Sequence, residues 1–180
     1  MPSIEHHGAS IYYEEFGQGF PILTFAPAGL QSTIEVWSRP AAPVNPVTEF
    51  AASFRVIAMD QRNAGGKSRG PITAQDGWHT YTADHLALLD HLGIDQCHLY
   101  GQCIGGSFIF SMIKAQPERV ASAVLAQPIG RVGGNAHGPS GGHLTSSGYL
   151  PPEPVRPGLH LQRGSCVRVH RADAVHGAGG

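Results

Sequence analysis

Apolar positions along this chain fall into short runs broken by polar turns, and the runs alternate between strand-like and helix-like spacing. Residues 11–16 (Ile-Tyr-Tyr-Glu-Glu-Phe) and 21–25 (Pro-Ile-Leu-Thr-Phe), split by Gly17-Gln18-Gly19, predict two strands around a turn, the second more buried. A loop over 26–32 follows. Residues 46–53 predict a short helix with Pro46 in its first turn, where a missing N–H costs nothing. Residues 55–60 predict a strand that ends in Asp60, and 61–70 a polar loop. Thr80 or Thr82 is placed to cap a helix that runs to about Leu92, with Gly93 as its C-terminal cap. On this helix Leu86, Leu89 and Leu92 share a face with Leu88 beside them, which puts Asp84, Asp90 and His91 on the more exposed side. Residues 97–100 predict a buried strand, 106–115 an apolar helix that stops before Pro117, and 120–126 a last strand. Strands that alternate with helices argue for an α/β fold with a mostly parallel sheet. There is no internal repeat, and no periodic segment follows Gln127-Pro128.

Composition divides the chain in two. Through Gly130 there are 7 Lys+Arg against 11 Asp+Glu, a net of −4; from Arg131 there are 5 Arg against 2 acids, a net of +3. The second stretch holds 11 of the 24 glycines and 5 of the 14 prolines, and no Phe, Ile, Met or Trp. It buries too little apolar surface to offset the entropy of ordering its backbone. The expected organisation is therefore a folded portion over 1–130 and a Gly/Pro/Arg/His-rich tail over 131–180, disordered or non-native in origin. A shifted reading frame in GC-rich DNA tends to give such a composition. The overall net charge of −1 excludes a strongly basic or acidic surface, so neither nucleic acid nor an anionic membrane is an expected partner. The first residues do not read as a signal peptide and no run has the length of a membrane span, which points to a cytoplasmic location. Cys97, Cys103 and Cys166 fit neither a disulfide framework nor a zinc pattern, and no cofactor or metal is expected.

The chemistry concentrates in Gly101-Gln102-Cys103-Ile104-Gly105, where a predicted strand runs into a predicted helix. A nucleophile framed by glycines at such a junction sits on a tight turn, its side chain lifted out of the sheet and the next backbone N–H groups opening a helix. Gly101 and Gly105 remove Cβ atoms that would collide across the bend. Ile104 N–H is the expected first oxyanion donor, and Gly29-Leu30, in the loop after the strand ending at Phe25, is placed to give a second.

Residues 11–128 resemble the α/β-hydrolase family. The elbow carries cysteine where serine is usual. Ala28-Gly29-Leu30 is similar to the family's oxyanion loop, with its glycine kept and its histidine lost. Asp60 to Ser68 (Asp-Gln-Arg-Asn-Ala-Gly-Gly-Lys-Ser) is similar to the family's Asp-X-Arg-Gly-X-Gly-X-Ser turn, with one extra residue and Asn63 for a glycine. Gln116-Pro117-Glu118-Arg119-Val120 resembles the usual exit from the helix behind the nucleophile. The resemblance implies a mostly parallel α/β-hydrolase sheet, here expected without its last strands and cap. It also implies an acyl hydrolase of ester-type bonds, acting on a small-molecule substrate through an acyl-enzyme on Cys103, with backbone N–H groups around Ile104, Gly29 and Leu30 holding the oxyanion. The family's acid and histidine come from later strands, so impaired activity is expected.

Three other readings compete. Gly65-Gly66-Lys67-Ser68 ends like a phosphate-binding loop, but that pattern needs a glycine where Gln61 stands and a helix at Lys67, so a structural turn is the better reading. His143, His160, His170 and His176 lie late enough in the chain to replace the family's base, yet none follows a predicted strand. His79, His85, His91 and His98 read as surface or packing residues and Cys97 as core. The alternative to an impaired enzyme is a non-catalytic module of the same fold that binds a ligand or partner. In either case the strand over 120–126 is an apolar sheet edge open to self-association.

Overall fold

The computed structural model describes residues 2–40, 42 and 44–127. Readings made above for 131–180, including the late histidines and Cys166, lie outside the described residues. The elements are β1 (Ser3–His6), β2 (Ala9–Phe16), β3 (Pro21–Phe25), α1 (Pro46–Phe50), β4 (Arg55–Met59), α2 (Trp78–His91), β5 (Cys97–Gln102), α3 (Gly105–Ala115) and β6 (Val120–Ala126). Short 3₁₀ turns cover Gly29–Gln31, Ile34–Ser38 and Pro117–Arg119.

The strands form one sheet in the order β1-β2-β4-β3-β5-β6. β4, β3, β5 and β6 run parallel, while β2 is antiparallel to both β1 and β4. The parallel strands read as nearly continuous apolar runs because both of their faces are covered. Successive residues feed opposite cores. Leu23, Ile57 and Leu99 join Leu88, Leu89, Ile109 and Met112 on the face packed by α2 and α3. Their neighbours Ile22, Val56 and Tyr100 join Val36 and Trp37 on the other face, with Val47 and Phe50 of α1 packed alongside. Among the described residues no helix is long and apolar enough to cross a membrane.

The hairpin β1–β2 went unread because Ile4 is the one apolar residue of a four-residue strand. Its two-residue turn, His7 (φ 46°) and Gly8 (φ 74°), places both central residues in the left-handed region, as a tight hairpin requires. The helix α2 departs from the sequence expectation in three ways. It begins two residues before Thr80, with Gly77 as N-cap; Thr80 instead reaches back from the first turn to accept from Gly77 N–H at 3.3 Å. Thr82 lies inside the helix, where its hydroxyl donates to the Trp78 carbonyl at 3.0 Å. The core face is built from Thr82, His85, Leu88 and Leu89, while Leu86 and Leu92 are only partly buried. Asp84, expected on the exposed side, is 1% exposed. The physical reason is a partner from outside the helix: Arg62 neutralises and hydrogen-bonds it. A periodicity read from apolar residues alone does not register a polar residue buried by pairing.

Candidate active site

β5 carries the chain to the elbow. Its residue Gly101 pairs in register with Phe25 at the end of β3, so the elbow and the loop after β3 leave neighbouring parallel strands at the same sheet end. The space there is tight. A Cβ added at Gly101 would lie 2.7 Å from the Gly105 carbonyl carbon, and one at Gly105 would lie 2.6 Å from the Phe25 carbonyl oxygen. Both glycines are therefore required by close approach, as expected. Between them Cys103 takes φ 53°, a left-handed conformation that L-residues rarely adopt. Its N–H donates to the Ala126 carbonyl at 3.1 Å, and its own carbonyl accepts from Gly106 N–H at 3.1 Å. Ile104 returns to helical geometry (φ −58°) as the residue before α3. The Cys103 side chain is half-buried, whereas Cys97 at the start of β5 is buried, and burial pushes its thiol up to about 12. Cys97 is an inert core thiol.

The loop after β3 is also shaped by left-handed residues, Ala28 (φ 87°) and Gly29 (φ 58°), which lead into the 3₁₀ turn at Gly29–Gln31. Ser32 Oγ donates back to the Ala26 carbonyl at 2.6 Å and closes the loop. Leu30 is 76% exposed, and its side chain walls a cleft with Arg62, Ile72 and Tyr81.

The polar turn after β4 holds these parts from below. One Asp60 oxygen accepts from Ile34 N–H at 2.8 Å and the other from Lys67 N–H at 2.6 Å. Gly66 has no room for a side chain, since its Cβ would lie 2.1 Å from that second oxygen. Ser68 Oγ donates to the Asp60 carbonyl (2.8 Å) and accepts from Tyr12 N–H (2.9 Å), which ties the turn to β2. Asn63, where the family turn has glycine, adopts φ 57° and bonds both backbone groups of Gly70, at 3.0 and 3.1 Å. Asparagine tolerates that conformation, and here it also closes the loop. No helix begins at Lys67, whose ammonium lies 4.0 Å from the Tyr12 ring centroid. Gly65-Gly66-Lys67-Ser68 is a structural turn.

Beneath this turn Arg62 bonds Asp84 through Nε (2.9 Å) and Nη2 (2.6 Å), and His6 Nδ1 lies 3.0 Å from the same carboxylate. Gln61 faces the fully buried His85. These five polar residues were missed as site neighbours; the readable signal was a charged and an aromatic polar residue on the core side of an amphipathic helix. Among the described residues no imidazole is hydrogen-bonded to the Cys103 thiol: His6, His85 and His98 are bonded to Asp84, Gln61 and Ser122. Among the same residues no group of three His, Cys, Asp or Glu is placed to hold a metal.

Residues 25–144 match the family described as the alpha/beta hydrolase fold, a stretch that takes in the loop after β3, the Asp60 turn and the elbow. The chain belongs to the α/β hydrolase fold family. A relative in Azorhizobium caulinodans that bears the provisional name carbamate hydrolase RutD is 31% identical over 136 residues, covering 74% of this chain and 47% of that protein. The 2-hydroxymuconate semialdehyde hydrolase of Pseudomonas sp. strain CF600 is 33% identical over 109 residues, 61% of this chain and 36% of that protein. The solved structure of Est816, described as an N-acyl homoserine lactone degrading enzyme, is 28% identical with TM-score 0.59, covering 71% of this chain and 45% of its own. The chain thus spans less than half the length of these relatives. As an α/β-hydrolase chain it has named hydrolases as its relatives.

Proposed function

We propose that this chain carries the nucleophile portion of an acyl hydrolase that acts on ester-type bonds of a small molecule, with Cys103 as the acyl acceptor. The observation that supports it most is the left-handed backbone of Cys103 between two glycines that admit no side chain, at the junction of β5 and α3. In the reaction the Cys103 thiol loses its proton to solvent, and the thiolate sulfur attacks the ester carbonyl carbon to form a C–S bond. The carbonyl oxygen takes the negative charge, and the tetrahedral species collapses to expel the alkoxide or phenolate. The N–H of Ile104 is aimed by the start of α3, and that of Leu30 by the left-handed turn at Ala28 and Gly29; both are offered to that oxygen. Water then cleaves the thioester to release the acid. That second step needs a base, and among the described residues no imidazole is hydrogen-bonded to the Cys103 thiol. Turnover is therefore slow, and the similarity to an N-acyl homoserine lactone degrading enzyme supports an ester or related acyl compound as substrate.

The test is p-nitrophenyl acetate with the full chain, followed by peptide mass spectrometry. One acetyl group accumulates on Cys103 with a burst of p-nitrophenolate and little turnover, and Cys103→Ala shows neither. Rapid multiple turnover lost in Cys103→Ala would contradict the impaired second step. The absence of an adduct on Cys103 would contradict its role as acceptor and favour a ligand-binding module.

A further inference from the structure

Gln61 and His85 form a buried polar pair that the acyl-transfer steps above do not use. They are 2% and 0% exposed, and His85 Nε2 lies 2.7 Å from Gln61 Oε1, so the imidazole donates to the amide oxygen. Gln61 Nε2 and His85 Nδ1 have no partner among the described residues. Burial, opposed only by the charge of Asp84, keeps the imidazole neutral, with a pKa lowered to about 3. Orphaned polar atoms cost about 1–3 kcal/mol each, and an apolar pair of the same shape would avoid that cost. A pair this expensive should fix something.

Its contacts show what. Gln61 N–H donates at 3.0 Å to the carbonyl of Ser32, the last residue of the loop that carries Leu30. The His85 ring lies 4.7 Å from the ring of Phe25, the residue from which that loop departs. It also lies 5.4 Å from the ring of Phe108, in the first turn of α3, the helix opened by Cys103 and Ile104. Phe25 and Phe108 are 5.8 Å apart, centroid to centroid. The pair therefore touches both ends of the loop bearing one oxyanion donor and the base of the helix bearing the other. We propose that Gln61 and His85 are positioning residues of the oxyanion hole, whose mutual hydrogen bond sets the Leu30 N–H relative to the Ile104 N–H. This rests on the reading of Cys103 as acyl acceptor.

The test compares two reactions of the same sulfur in the full chain. Acetylation by p-nitrophenyl acetate develops an oxyanion. Alkylation by iodoacetamide, in which the thiolate forms a bond to a saturated carbon and iodide leaves, develops none. Gln61→Leu and His85→Leu should slow acetylation of Cys103 by about tenfold or more while its alkylation is unchanged. His85→Gln, which keeps an N–H for Gln61, should recover part of the loss. Each single replacement leaves a buried partner orphaned, so Gln61→Leu/His85→Leu is measured beside them, with the protection of buried Cys97 from iodoacetamide reporting the intact fold. An unchanged ratio of acetylation to alkylation in the folded double variant overturns the positioning role alone. A wild-type chain that gains no acetyl group on Cys103 overturns the acceptor reading and this inference with it.

Discussion

Cys103 is held at φ 53°, in a conformation that costs an L-residue about 1–2 kcal/mol, and the surroundings must supply that cost. They do so through contacts that only glycine permits on either side. Gly105→Ala would press a methyl group to 2.6 Å from the Phe25 carbonyl oxygen and 3.0 Å from its Cβ, neither of which can swing away. The expected loss is about 1–3 kcal/mol of stability, read as a lower urea midpoint, together with slower acetylation of Cys103 because the displaced strand end carries the oxyanion loop. His85 adds a pH dependence of definite sign. The unfolded chain binds a proton at His85 near the ordinary value of 6.5, whereas the folded chain holds it off until about 3. Between those limits the unfolded state carries more protons, so stability falls as pH drops from 6.5 toward 3, by up to about 1.4 kcal/mol per pH unit, and this contribution is constant above 6.5. Urea midpoints of wild type and His85→Leu over that range should differ in slope; parallel lines would contradict a neutral buried imidazole. The glycine frame of the elbow was legible because spacing alone exposes it. The loops holding Asn63 and Ala28 were legible too, but not the left-handed backbone at Ala28, because alanine carries no preference for it.

At the scale of elements, the helix α2 shows how a readable segment can conceal its most consequential residue. Its C-terminal end and capping glycine were evident, yet its core face includes Asp84 and His85, which a count of leucines assigns poorly. Asp84 belongs there because Arg62, 7% exposed by its side chain, satisfies both carboxylate oxygens and draws the turn after β4 onto α2. The Asp84 hydrogen bonds in turn raise the pKa of Arg62. Breaking such a pair from one side leaves a buried charge uncompensated. Asp84→Asn should therefore cost about 3–5 kcal/mol, whereas Arg62→Leu/Asp84→Leu, which removes both charges, should cost far less. Urea unfolding of both variants decides the matter: equal losses would mean that the pair contributes by attraction and not through the cost of orphaning one member.

For the whole molecule, the order of strands and helices was legible because each apolar run has a length that only one element type accommodates, and the parallel strands could not be mistaken for exposed alternating ones. The position of β1 was not, because a four-residue strand with one buried residue leaves almost no pattern. The two sheet edges differ in the same way. β1 ends the sheet with a short strand that carries Glu5 and His6, features that discourage pairing. β6, at the other end, is seven residues long, reads Val-Ala-Ser-Ala-Val-Leu-Ala without a charge or proline, and among the described residues pairs only with β5. Ala123 and Leu125 are fully buried against the core, so an incoming chain would find backbone groups rather than a greasy face, and would add as a strand. We propose a second copy as that added strand at high concentration. The full chain should then grow in mass with concentration by light scattering, and Ala121→Lys, which puts a charge on a half-buried position of that edge strand, should shift the growth to higher concentration while the urea midpoint changes little. A wild-type chain that stays monomeric at every concentration would show that β6 is not open to pairing in solution.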